Sequence, residues 1–261
     1  MRPGRTYALR GIGIAASVAV ALVVLFELVS ALWPLASRVI AERALQANDP
    51  QLLHLANASV LLVALPSLVV YTAAGVLVII WFYRARVNLD RFPGAEPTMA
   101  AGWAIGGWFV PFANFVIPCR VMANIARDSL RRTPVLVAVW WAAWLVSQCS
   151  GAWLALGNRE ATRALPSTIS EPADYQGYID YYSDSLVQGL PSAAASVVAG
   201  AALIVLIWQI SNAQQARIAR ANPVGPILPG ATVAAPVPPV PSGTGGTSPL
   251  PPPGGGGTIE A

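Results

Sequence analysis

Four long apolar segments constrain the fold of this 261-residue chain more than any other feature. A helix needs about 20 mostly apolar residues to cross a bilayer core of roughly 30 Å. The segments that meet this requirement run from Gly11 to Trp33, from Ala58 to Tyr83, from Pro134 to Leu156 and from Leu186 to Ile210. We therefore predict an all-α fold, a polytopic bundle of about four transmembrane helices.

The composition agrees with a membrane protein. Apolar residues make up 55% of the chain, charged residues only 11%, and the mean hydropathy is +0.57. These values are too apolar for a soluble domain of this size. All 16 basic residues are Arg, and Ala, Val, Pro and Gly are abundant, which suggests GC-rich coding as in an actinobacterium. The two cysteines, Cys119 and Cys149, are expected in separate regions, so we predict no disulfide framework.

The positions of the arginines predict the orientation, because basic loops of membrane proteins stay in the cytoplasm. With a cytoplasmic N-terminus, 12 of the 16 arginines lie on the inner side: Arg2, Arg5, Arg10, Arg84, Arg86, Arg91, Arg120, Arg127, Arg131, Arg132, Arg217 and Arg220. We therefore expect a multi-pass protein of the plasma membrane with both termini in the cytoplasm. The first apolar run is longer than a signal-peptide core and is expected to remain as a span.

Residues 98–118 are apolar and aromatic, but Gly106, Gly107, Pro111 and Pro118 interrupt them. If this segment crossed the membrane, the arginines that follow it would lie on the opposite side from those that precede it. We therefore predict an interfacial or re-entrant segment on the cytoplasmic side, where irregular backbone is shielded by protein or reaches water. A short fifth span is the alternative.

A basic amphipathic helix is predicted at about residues 118–131. Its stripe contains Arg120, Asn124, Arg127 and Arg131. Together with Arg132, these arginines are candidates to contact anionic lipid headgroups, each contributing about 1 kcal/mol near the surface. A phosphorylated ligand is the alternative partner.

The last 40 residues, from Asn222 onward, contain 11 Pro and 9 Gly. Such a chain buries too little apolar surface to offset its ordering entropy, so we predict a disordered Pro-rich tail. A protein partner that recognises polyproline is one use for it, and a simple spacer is the other.

Glu27 is the only acidic residue inside a predicted span, and a buried carboxylate in lipid costs a few kcal/mol unless it is protonated, paired or hydrated. At 1.5 Å per residue, Glu27 lies roughly 9 Å below the outer end of its helix, Gln148 about 12 Å and Ser67 about 13.5 Å below theirs. These three residues form a candidate polar intramembrane site for a proton, a cation or a small solute. The alternative is that Glu27 is protonated and hydrogen-bonds between helices for packing.

The sequence contains no Walker A loop, no HExxH motif and no CxxC pair, and its one histidine is His54. We therefore predict no enzyme, no catalytic residue, no cofactor and no metal site. The net charge of +4 does not indicate nucleic-acid binding. Ser192, Ser196 and Gly200 recur every four residues, a pattern that packs helices closely within one chain or in a homo-oligomer. The outer stretch from Glu171 to Asp184 is interpreted as an interfacial loop with its tyrosines at headgroup level, and an acidic aromatic surface for a partner or a cation is the alternative.

Three short motifs follow the second span in order. They are WxxRxxxN at Trp81, Arg84 and Asn88, GWxxPxxN at Gly107, Trp108, Pro111 and Asn114, and PxR at Pro118 and Arg120. This order resembles the core of the domain-of-unknown-function 4328 family of bacterial membrane proteins, over roughly the second to the fourth span.

The resemblance implies several membrane spans around a patterned loop core, and it implies no activity. The candidate loop-core residues, which form either a structural lock or a binding site, are Arg84, Asn88, Trp108, Pro111, Asn114 and Arg120. We expect a lock. The sequence thus predicts an integral membrane protein of unknown activity, a non-enzymatic scaffold, sensor or accessory component. The alternative is a transporter or channel-like bundle for a small solute, proton or ion, using the layer around Glu27.

Overall fold

A computed structural model describes residues 6–221, so the predicted Pro-rich tail lies outside the described residues. Six α-helices form the fold: α1 (Arg10–Ala47), α2 (Pro50–Leu89), α3 (Trp103–Gly106), α4 (Ile117–Leu130), α5 (Val135–Ala164) and α6 (Pro172–Ala221). A 3-10 turn covers Ala113–Phe115, and no strand occurs between residues 6 and 221. Helices α1, α2, α5 and α6 are long and apolar enough to cross a membrane. The prediction of an all-α bundle with four helices that could span a membrane is confirmed.

The four long helices extend beyond the apolar runs in the sequence. Helix α6 has 50 residues, which corresponds to about 75 Å at 1.5 Å per residue. The stretch from Glu171 to Asp184 was predicted as a loop, which is wrong, because α6 begins at Pro172. The spacing of Tyr175, Ile179 and Tyr182 puts all three on one helical face, and that face is buried against the ends of α1 and α2 rather than at lipid headgroups.

The long helices pack in the order α2, α1, α6, α5, each against its neighbour. Small residues allow the close approach: a Cβ atom added to Gly200 of α6 would lie 2.4 Å from Cγ2 of Val24 in α1. Ser192 Oγ donates a hydrogen bond of 3.1 Å to the Ser147 carbonyl of α5. The small-residue pattern therefore serves contacts within this chain. Because α2 and α5 are not neighbours in this order, a gap remains between them.

The segment between α2 and α4 returns to the end of the bundle from which it started. Gln214 Nε2 near the end of α6 donates both to the Ala85 carbonyl of α2 (3.1 Å) and to Ser129 Oγ of α4 (2.9 Å). The chain before and after residues 98–118 therefore lies at one end, which we call the arginine-rich end. The two helical pieces within the segment have four and three residues. They are too short to cross, so the alternative of a fifth span is not supported.

Residues 98–118 fill the gap between α2 and α5 at the arginine-rich end. The Trp108 ring stands edge-on to Phe82 of α2, with centroids 5.7 Å apart, and edge-on to Trp144 of α5 at 6.0 Å. Trp141 Nε1 donates to the Phe115 carbonyl at 3.0 Å, which holds the segment against α5. The segment thus closes the bundle on this side.

Candidate functional site

A cavity of about 240 Å³ lies between the four long helices. Each of these helices contributes to its wall, and residues 98–118 add Trp108. The residues that give it its chemical character are Glu27, Tyr71, Trp108, Trp144, Gln148 and Ser196. Most of the remaining wall is aliphatic or glycine. Because Trp108 and Trp140 pack with Phe82 near the end of α2, and Trp144 packs with Trp108, the aromatic side of the cavity faces the arginine-rich end.

Glu27 lies where this cavity meets two others. A second cavity, of about 250 Å³, extends from Glu27 along Ser30 and Ser37 to Asn158 and Tyr181 near the opposite end. A third, of about 240 Å³, lies between α1 and α2. The Glu27 carboxyl is half-buried and has no hydrogen bond or ion pair with another residue in the range 6–221. The one carboxyl inside the apolar part of the bundle therefore lines all three cavities.

The structure brings the predicted polar residues together only in part. Gln148 lines the 240 Å³ cavity with Glu27, and its Nε2 donates to the Tyr71 hydroxyl at 2.6 Å. This hydrogen bond joins α5 to α2 across the gap between them. Ser67 faces Glu27 only in the third cavity, and its hydroxyl donates to the Val63 carbonyl of its own helix at 2.6 Å. The polar layer thus consists of Glu27, Tyr71 and Gln148, with Ser67 at its side.

The sequence-based prediction of this site did not include Tyr71 or Trp108. Tyr71 follows Ser67 by four residues, so it lies on the same helical face, and this spacing was a usable signal. Trp108 was assigned to the loop core, and nothing in the sequence shows that the loop folds back to wall the cavity.

The loop core contains a buried hydrogen-bond network around Asn88. The Asn88 side chain accepts from the Tyr7 backbone N–H (2.7 Å) and donates to the Tyr7 carbonyl (2.9 Å) and to Gln214 Oε1 (3.0 Å). Asn88 and Gln214 are both fully buried. Since Gln214 also bonds Ala85 and Ser129, the network ties the N-terminal segment, α2, α4 and α6 into one unit. These bonds are of the kind expected for the structural lock predicted from the sequence, and Asn88 and Gln214 do not line any of the cavities described above.

The other candidate residues of the loop core take different positions. The Arg84 guanidinium lies 5.7 Å from the centroid of the Tyr7 ring, a cation–π distance. Pro111 and Arg120 are exposed, and the Oδ1 atom of Asn114 is buried without a partner. Sequence reasoning missed Gln214, which falls after the fourth predicted span and carries no motif.

Besides Gln214, the sequence-based prediction of the loop core also missed Arg86, which is only 4% exposed. It donates to the Met99 carbonyl and pairs with Asp90 at 2.8 Å. Arg86 therefore holds Met99, at the beginning of residues 98–118, against the end of α2.

The basic surface of α4 differs from the predicted stripe at one position. Arg120, Arg127, Arg131 and Arg132 are exposed, but Asn124 is buried and its Nδ2 donates to Thr98 Oγ1 at 2.6 Å. The stripe was therefore wrong at Asn124, because the loop before α4 covers that face. Arg217 of α6 adds to this basic surface. Burial, followed by the charges of Arg131 and Arg220, lowers the pKa of Arg217, which indicates a crowded positive cluster.

Comparison with known proteins identifies a family. No curated protein and no solved structure matches the chain. The family model described as Domain of unknown function (DUF4328) matches residues 44–212, which is more than half of the chain. The matched range holds the loop core with Asn88, whereas Glu27 and Tyr7 lie before it and Gln214 lies just after it. The chain therefore belongs to the DUF4328 family, as the motif order in its loop core predicted.

Proposed function

We propose that this membrane protein binds a small solute inside its helix bundle, as a transporter or channel-like protein, through the layer formed by Glu27, Tyr71 and Gln148. One observation carries the proposal: Glu27 lies at the junction of three cavities and has no partner of its own within residues 6–221. A carboxyl that served helix packing would bond to a neighbouring helix, since an unpaired one in lipid costs a few kcal/mol. An ionisable group at membrane depth that faces a cavity is a functional-site hypothesis by default.

The shape of the cavities supports a route from one side. The second cavity joins Glu27 to polar residues toward the end opposite the arginines. At the arginine-rich end, Trp108 packs against Trp141 and Trp144 of α5, and the Trp108 and Trp144 rings form the aromatic wall of the cavity on that side. The solute is thus expected to enter from the polar end and stop at the aromatic wall.

Cysteine accessibility tests the proposal. In a variant without Cys119 and Cys149, Ser196→Cys puts a thiol on the cavity wall, and Val198→Cys puts one on the same helix at a 47% exposed position. The small, neutral and water-soluble reagent hydroxyethyl methanethiosulfonate should modify the thiol at position 196 at least tenfold faster than the thiol at position 198. The reason is that position 198 faces lipid if α6 crosses the membrane. Equal slow rates at both positions would show that water and solutes do not reach the cavity.

The orientation is part of the proposal. We place the arginine-rich end in the cytoplasm, with both termini there, and the chain in the plasma membrane of an actinobacterium. The placement is supported by 12 of 16 arginines falling on that side. Arg120, Arg127, Arg131 and Arg132 then face the inner leaflet, where anionic headgroups complement the crowded charge around Arg217. The contact with anionic headgroups is tested by the anionic lipid that co-purifies with the protein. This lipid should be lost from the variant in which all four arginines are replaced by Gln. Binding of the purified protein to anionic vesicles would not test the contact.

A non-enzymatic scaffold, sensor or accessory role is the second candidate. It is supported by the hydrogen bonds of Asn88, whose side-chain polar atoms are all partnered by Tyr7 and Gln214 rather than free for a substrate. In that role the inner face or the Pro-rich tail contacts a protein partner, with no cofactor and no catalytic step. Glu27→Gln should then leave cellular function intact while deletion of residues 222–261 abolishes it. The opposite pattern supports the solute-binding function.

A further inference from the structure

We propose that the ligand of the Glu27 cavity is a small organic cation with an aromatic or alkyl body, of the quaternary ammonium type. The inference rests on the solute-binding function proposed above and names its ligand class. It follows from the charge, the aromatic wall and the size of the cavity.

The only charge that the cavity wall can carry is negative. Glu27 is the only ionisable carboxyl among the residues that line the three joined cavities, and none of these lining residues is basic. A ligand carrying one positive charge would neutralise Glu27, whereas an anion would meet an unpaired carboxylate. In the proposed complex, the positive charge of the ligand compensates the buried carboxylate of Glu27, because the protein supplies no cation there.

The wall opposite the aliphatic residues is aromatic. Trp108 and Trp144 stand almost perpendicular, at 89°, with ring centroids 6.0 Å apart, and Tyr71 lines the same cavity from α2. Aromatic faces attract an alkylammonium group within about 6 Å, and cages of such rings recognise quaternary ammonium ligands. A cation with an apolar body therefore finds both a charge partner and complementary walls.

The size of the cavity limits the ligand. Its volume is about 240 Å³, somewhat below the roughly 300–1,000 Å³ that is typical of pockets for drug-sized ligands. A dry apolar cavity of about 150 Å³ accommodates benzene. The cavity therefore has room for a single ring with an ammonium group.

A hard metal cation fits this wall less well. Such ions take six to eight oxygen ligands for calcium, or near-octahedral oxygen ligands for magnesium. Among residues 6–221 no group of three or more His, Cys, Asp or Glu side chains lies together. The wall of the cavity is mostly apolar, which suits an organic cation and not an ion that must replace its hydration shell.

Protection of a cavity cysteine tests the ligand class. The Ser196→Cys protein without other cysteines is treated with the neutral hydroxyethyl methanethiosulfonate, with increasing benzyltrimethylammonium present as the probe. We expect saturable protection, and we expect Glu27→Gln to raise the half-protecting concentration at least tenfold. Glu42→Gln removes an acid from the same helix that pairs with Arg38 outside the cavity, and it should leave the protection unchanged.

Each outcome decides one point. If position 196 reacts but benzyltrimethylammonium gives no protection, or equal protection with Glu27→Gln, the cation class is wrong and the solute site stands. Stronger protection by phenylacetate than by the ammonium probe also overturns the cation class. If position 196 does not react with the neutral reagent, the proposed function itself fails. Thermal unfolding of each variant in detergent identifies a variant that has simply misfolded. If Glu27→Gln misfolds, Glu27→Asp takes its place. Because Glu27→Asp keeps the charge, benzyltrimethylammonium should still protect position 196 in that variant.

Discussion

Replacing Asn88 by Ala should destabilise the bundle by about 2–4 kcal/mol. The side chain takes part in three hydrogen bonds, two with the backbone of Tyr7 and one with Gln214 Oε1. A net hydrogen bond contributes about 0.5–1.5 kcal/mol, and a buried group left without its partner costs about 1–3 kcal/mol. Gln214 is fully buried, so water cannot replace Asn88 beside it, whereas the Tyr7 backbone is only partly buried and can be hydrated. The Gln214 bond therefore contributes most of the loss.

Unfolding of the purified protein in mixed micelles by increasing SDS measures this free energy. Asn114→Ala is the matched control, because Asn114 belongs to the same loop core and its Oδ1 atom has no hydrogen-bond partner. It should change the free energy of unfolding by less than about 1 kcal/mol. Asn88→Ala combined with Gln214→Ala should cost less than the sum of the two single changes, since they share one bond. An Asn88→Ala protein as stable as the Asn114→Ala protein would refute the assignment of a lock.

Two further predictions concern packing and pH. Gly200→Ala should lower the free energy of unfolding by about 1–3 kcal/mol in the same SDS titration, because the added Cβ would overlap Val24. Gly157→Ala is the control: nothing lies within 4 Å of its added Cβ, so it should be neutral or slightly stabilising. The backbone N–H groups of Ser170 and Glu171 lower the pKa of Asp174 at the start of α6. Its contribution to stability is therefore present above the unfolded pKa and is lost as the pH falls through the lower folded pKa. Asp174→Asn should abolish that acid-side loss in melting temperature, and an unchanged pH dependence would contradict the cap.

The sequence predicted the spans because apolar runs of about 20 residues and the helical length of a bilayer crossing leave few alternatives. It predicted the return of residues 98–118 from charge placement alone, since a crossing would have moved the later arginines. It did not predict that α6 begins at Pro172, because the polar residues between Glu171 and Asp184 hide an apolar face every third or fourth residue.

The site was predictable in its charge and not in its walls. Glu27 stands out as a lone acid in an apolar run, so its importance can be read from one helix. The cavity depends on which helices are neighbours, and the sequence does not show that α2 and α5 are separated by a gap or that Trp108 fills it. In the lock, Asn88 was visible through a motif, but its partner Gln214 lies 126 residues away and has no local signal.

The direction in which the Glu27 site opens is the central claim of this account, and labelling from outside the cell tests it most directly. Arg132 and Glu171 are exposed and lie near opposite ends of the bundle, whereas Ser129, beside Arg132, is buried in the lock. Single cysteines at 132 and 171, in a cysteine-free protein in intact cells, are treated with a membrane-impermeant thiol reagent. We predict labelling at 171 alone, with 132 labelled only after the cells are opened. Labelling at 132 in intact cells would contradict the account, because the arginine-rich end would then face outward and the cavity would open to the cytoplasm.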